Sequence, residues 1–119
     1  MQDTAAILDR EQLRDITMDD DALMREILGV LIDDTTRQMH LLDAAIREQD
    51  AARCVRLAHY SKGACANVGA NSAAAILKHI EGQAANHAFQ ECQQALMRLA
   101  HEVDLLRSEA VSLRGVPRA

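Results

Sequence analysis

One short run of the chain places a nucleophile, a cation and an unusually small residue together: His59-Tyr60-Ser61-Lys62-Gly63. On a helix at about 100° per residue, Cys54, Leu57, Ala58, Ser61, Cys65 and Val68 share one stripe, a core face built from mostly small side chains. His59, Gly63 and Ala66 fall on roughly the opposite side, with Lys62 and Val55 on one flank and Arg56 on the other. His59 is therefore expected to face solvent. A neutral imidazole nitrogen is a competent nucleophile near pH 7, and a lysine three residues on shares its face. Gly63 costs about 1 kcal/mol relative to alanine inside a helix, on a face where the core requires no glycine. Its lack of a side chain opens the space beside the ring to an approaching surface.

Charge points the same way. The thirty residues from Ala51 to Ile80 contain Arg53, Arg56, Lys62 and Lys78 and no carboxylate, although the chain as a whole carries −5. Such a face suits an anionic target, a phosphoryl group or an acidic pocket. The chemistry that fits is phosphoryl transfer through a histidine: a phosphohistidine can pass its group to a carboxylate, and transfer needs mainly positioning and charge neutralisation. Lys62 supplies part of that charge. The residues beside His59 form no evident Mg²⁺ site, so a metal is expected to come with the partner. A lone surface histidine is ordinarily inert; its spacing from Lys62 and Gly63 sets this one apart.

The elements that must hold these residues are helical. A short first helix is expected from about Thr4 to Arg14. The run Asp19, Asp20, Asp21 reads as a solvated loop and a helix start. Behind it Leu23, Ile27, Val30, Leu31, Met39, Leu42 and Ile46 recur at helical spacing to about Glu48. Asp50 can cap a helix from Ala51 to about Val68, ended by Gly69. Asn71 and Ser72 can start a fourth, carrying Ile76, Leu77 and Ile80, with a break over Gly82 to His87. A last helix is expected from about Ala88 to Leu113. Four long amphipathic helices with short joints make an antiparallel four-helix bundle, over about residues 20–113, with the first helix as a cap. The chain reads as a single domain, 1–119, with a short tail over 114–119.

Composition narrows the classes. Of 119 residues 49% are hydrophobic but only 2% aromatic, with five glycines and one proline, so an all-α fold is favoured. The chain has no Gly-rich phosphate loop, GxSxG elbow or HExxH. Net charge argues against nucleic acid as a partner. No apolar run is long enough to span a membrane and no secretory leader is evident. Cys54, Cys65 and Cys92, an odd number without CxxC spacing, read as buried thiols of a reducing compartment, which implies a cytoplasmic protein. His40, His79, His87 and His101 are expected at the surface or its boundary, and no metal site is expected from the spacings of His79, His87, Cys92 and His101.

At His59-Tyr60-Ser61-Lys62-Gly63, followed six residues later by Gly69, the sequence resembles the histidine-containing phosphotransfer (HPt) domains of bacterial two-component phosphorelays. The helical layout extends the resemblance over nearly the whole chain. It implies that His59 is the phosphoacceptor, Lys62 the charge-stabilising neighbour, Gly63 the clearance residue and Gly69 the structural stop. Gly63, Arg56, Val55 and Ala66 would form the surrounding binding surface. The resemblance also implies a phosphocarrier with no cofactor of its own, taking its group from one receiver-domain aspartate and giving it to another, with Mg²⁺ on the receiver. Implied partners are response-regulator receivers and a hybrid sensor histidine kinase, and the chain is expected to act as a monomer. Several family members hold a glutamine near the histidine from the following helix. The corresponding residue here is Glu81, with Gln83 close by. A carboxylate there would repel a phosphoryl group unless it only orients the ring, and Glu81 reads as a solvated helix residue. Met1 and the short tail favour a free-standing protein. The alternative function is a helical docking module that binds a receiver, or another signalling protein, without carrying phosphate.

Overall fold

The computed structural model describes residues 7–114, which form five helices: α1 (Arg10–Ile16), α2 (Asp21–Arg47), α3 (Ala51–Val68), α4 (Asn71–Ala85) and α5 (Phe89–Arg114). Consecutive long helices pack side by side, and α5 closes the ring against α2. The joints at Glu48–Asp50, Gly69–Ala70 and Asn86–Ala88 are too short for anything but antiparallel neighbours. The expected all-α bundle with a short cap helix is the observed architecture.

The caps explain the boundaries. The carboxylates of Asp9, Asp20 and Asp50 accept from the backbone N–H groups of Gln12, Leu23 and Arg53, at 3.0–3.1 Å. Each satisfies a donor that a helix start leaves unpaired. At the other end of α3, Gly69 adopts φ +93°, and the Ala70 N–H returns to the Cys65 carbonyl at 2.9 Å, closing the helix as glycine permits. A Cβ at Gly69 would lie 2.8 Å from the Asp9 carbonyl oxygen. Glycine is thus required there twice, by conformation and by close approach.

α1 begins later than expected. The proposed start at Thr4 lies outside the described residues. Within them, the Asp9 N–H is drawn to the Gly69 carbonyl at 2.8 Å, so Asp9 caps from an extended conformation, and the helix runs from Arg10 to Ile16 rather than ending at Arg14. Gln12 Nε2 donates to the Ala66 and Asn67 carbonyls at 2.7 and 3.3 Å, so α1 seals the C-terminal end of α3. Arg10 ties α1 to Glu109 of α5 at 2.6 Å.

The expected break at Gly82 is also corrected. α4 runs through it to Ala85, because Ile80 and Ala84 continue the buried stripe on either side. The interruption is only Asn86–Ala88, where His87 takes φ +59°.

The core stripe of α3 is as expected at Cys54, Ala58, Ser61 and Cys65, all buried, with Leu57 and Val68 half-buried. They meet Leu28, Leu42, Leu77, Ile80, Leu99 and Leu106. Small residues on α3 allow close helix approach without aromatic bulk. Two apolar residues of α2 leave the pattern: Leu23 and Val30 are exposed, Val30 at 64%. All three thiols are buried, and burial pushes them up from their ordinary acidity, Cys92 to about 11. No described helix is long and apolar enough to cross a membrane.

Candidate functional site

α3 presents His59 to solvent, its side chain 67% exposed, and α4 brings Glu81 beneath it. His59 Nδ1 lies 3.1 Å from Glu81 Oε2, and Lys62 Nζ donates to Glu81 Oε1 at 2.8 Å. One carboxylate therefore holds both residues that the sequence places together. The Lys62 hydrogen bond, reinforced by its charge and by His59, holds the Glu81 carboxyl below the usual carboxylate range against a partial burial that pushes the other way. An ionised carboxylate only accepts. The proton of a neutral His59 ring must then sit on Nδ1, which leaves the lone pair on Nε2. Among the described residues Nε2 has no hydrogen-bond partner. The arrangement fixes tautomer and ring orientation together, as an orienting group does for a nucleophilic or ligating histidine.

The expectation that Glu81 is a solvated residue is therefore wrong: it stands at the centre of the site, three-quarters buried. It reaches the ring through Nδ1, away from the nitrogen left free, so its charge orients the ring and leaves Nε2 open. One signal for it was present. Glu81 is the first carboxylate after the acid-free run, and on a helix directly following α3 it is the anion best placed to neutralise Lys62.

Gly63 and Ala66 lie exposed on the same face as His59, and so does Arg56. Val55 and Lys62 are half-buried on the α4 flank. A Cβ added at Gly63 would meet nothing within 4 Å, so no contact inside the molecule demands glycine there. Gly29 and Gly82 are equally open; what distinguishes Gly63 is its position one turn beyond His59. Tyr60 is a neighbour the sequence reading passed over. It is 54% exposed, and its hydroxyl donates to Asp34 Oδ2 of α2 at 3.1 Å, which raises its pKa. Asp34 is held in turn by Arg37 at 2.6 Å. Its signal was its being the only tyrosine, next to His59. Gln83 is half-buried, and it is Glu81 that contacts His59. His40, His79, His87 and His101 are all exposed, and among the described residues no three His, Cys, Asp or Glu side chains group as a metal site would need.

The family model described as the Hpt domain matches residues 26–109, which include α3, α4 and every residue of the His59 cluster. No curated protein matches the chain. Among solved structures, the fold is similar to the crystal structure of histidine-containing phosphotransfer protein B (HptB) from Pseudomonas aeruginosa PAO1. The TM-score is 0.84 at 23% sequence identity, with 97% of this chain and 100% of that chain covered.

Proposed function

The chain belongs to the Hpt domain family, and from that premise we propose that it is a phosphocarrier whose acceptor is Nε2 of His59. The family places the chain in phosphotransfer within phosphorelays; the residue and the steps follow from the site. The Nε2 lone pair attacks the phosphorus of a receiver's aspartyl phosphate. The N–P bond forms as the bond from phosphorus to the carboxyl oxygen breaks, and the carboxylate leaves with the electron pair. The proton on Nδ1 stays where it is, held by Glu81, so the positive charge that develops on the ring faces a carboxylate at 3.1 Å. Lys62, already beside the ring, is the nearest ammonium to the incoming phosphoryl oxygens. Passing the group to a second receiver reverses these steps. Mg²⁺ on the receiver would offset charge at its aspartate, and a hybrid sensor kinase would supply the first phosphorylated receiver.

One observation carries this reading: the ring is clamped through Nδ1 while Nε2 stays exposed and unbonded. A histidine kept only for packing or solubility needs no such clamp. The test is transfer of labelled phosphate from phosphorylated receiver domains to the wild type and to His59→Gln. The expected result is acid-labile, base-stable label on the wild type alone. Label on both proteins would move the acceptor elsewhere, and receiver binding without label on either would make the domain a docking module.

A further inference from the structure

Glu81 carries a charge where an uncharged residue would hold the ring as well. Its Oε2 lies 3.1 Å from His59 Nδ1, and an amide oxygen in that position would accept the same proton. The carboxylate therefore brings something besides orientation: a negative charge against the ring nitrogen that does not react. Glu81 is ionised throughout the neutral range, because the hydrogen bond and charge of Lys62 hold it below the usual carboxylate range.

What that charge does depends on how an N–P bond breaks. When phosphorus leaves Nε2, the bonding electron pair stays on the ring. A ring that still has its Nδ1 proton departs as neutral imidazole. One that has lost it must depart as an imidazolide anion, a far poorer leaving group. The phosphorylated ring is cationic while it keeps that proton, and an opposite charge in contact with it favours the cationic form by roughly tenfold or more.

We infer that Glu81 sets the lifetime of the phosphohistidine: by keeping the proton on Nδ1, it makes the carrier release its group at neutral and alkaline pH instead of holding it. The inference rests on the phosphocarrier reading and deepens it, from which atom accepts the group to how long the group stays. An oxygen of the receiver aspartate, or of water, bonds to phosphorus as the N–P bond breaks. Nε2 regains its lone pair, and no proton moves to or from the ring; attacking water gives its proton to solvent.

No other described group can take this part. On α3, Lys62 and the exposed Arg56 are cations and oppose a further positive charge on the ring, as does Lys78, exposed one turn before Glu81 on α4. Asp34 of α2 is turned to Arg37 and Tyr60. α1, with Glu11, Arg14 and Asp15, meets α3 about two turns away, at Ala66 and Asn67, and α5 does not pack against α3.

The test loads wild type and Glu81→Gln from a phosphorylated receiver, removes the receiver, and follows the loss of label at two pH values. At about pH 5.5, below the ordinary imidazole value of about 6.5, both rings keep the proton, and the lifetimes are expected to agree within about twofold. At about pH 8.5 Glu81→Gln is expected to hold its label about tenfold longer, and to retain about tenfold more of it at equilibrium with added unphosphorylated receiver. Glu81 is ionised at both pH values, so repulsion between carboxylate and phosphoryl group alone would lengthen the variant's lifetime at both. A variant-to-wild-type ratio unchanged between the two pH values would therefore overturn the inference and leave the phosphocarrier standing. Glu81→Gln that takes no label would overturn it too, since the carboxylate would then be needed for loading itself. A wild type labelled by no receiver, like His59→Gln, would remove the phosphocarrier reading and this inference with it.

Discussion

Replacing Glu81 separates orientation from charge at the site. Glu81→Ala removes the acceptor for His59 Nδ1 and the anchor for Lys62. A hydrogen bond to a charged group is worth roughly 1.5–3 kcal/mol, and the exposure of His59 puts this one at the lower end, about 1.5 kcal/mol. If that energy selects the tautomer and angle needed for attack, its loss slows transfer about tenfold, since 1.36 kcal/mol is one decade in rate. The Lys62–Glu81 pair, 28% and 25% exposed, is broken in the same variant but leaves the ammonium near the ring. Glu81→Gln offers an amide oxygen to the same Nδ1–H. It should keep the orientation and stay within about threefold of wild type. The assay is rapid-quench transfer from a phosphorylated receiver at saturating concentration, where docking differences drop out. Glu81→Ala within twofold of wild type would refute the clamp. Glu81→Gln as slow as Glu81→Ala would refute orientation and leave charge as the function of this residue.

Three further expectations follow from the same geometry. Gly63→Gln should raise stability by about 0.5 kcal/mol through helix propensity while slowing transfer; urea unfolding and the transfer assay together check it, and normal transfer would remove the clearance argument. Gly69→Ala should cost roughly 2–3 kcal/mol, because alanine must hold a positive φ and its Cβ meets the Asp9 carbonyl at 2.8 Å; a denaturation midpoint unchanged from wild type would contradict it. Because Glu81 titrates lower in the folded chain than its ordinary 4.5, its ionised form stabilises the fold above that pH, and the contribution is lost as pH falls through the folded value. Glu81→Gln should therefore be less stable than wild type at neutral pH, and the gap should close well below 4.5, as urea unfolding at the two pH values would show.

How much could be read from the residues alone depended on whether the signal was local. α3 was legible to its ends because Asp50 and Gly69 are local punctuation, and its buried stripe follows from spacing. His59, Lys62 and Gly63 share a face for the same reason. The Glu81 clamp was not legible as a contact, because it depends on the rotation of α4 against α3, which no spacing within either helix reports. Gly82 misled for a related cause: a glycine lowers helix propensity, but the buried pair Ile80 and Ala84 outweighs it. α1 was misplaced because its start is set by a bond from Asp9 to Gly69, sixty residues away. Leu23 and Val30 fit the helical period but stand exposed, on a side of α2 that no further described helix covers.

The hold of α1 on the last turn of α3 changes what fraying means for the helix that carries His59. An ordinary helix end opens by itself, one residue at a time. Here the Ala66, Asn67 and Gly69 carbonyls are closed by Gln12 and Asp9, so that end opens only when α1 lifts away as a unit. Amide exchange at the α3–α4 corner should therefore track the undocking of α1 rather than fall off smoothly toward Gly69. The helix that carries His59 is thus closed by residues synthesised before it, while Glu81, which holds its ring, is made afterwards.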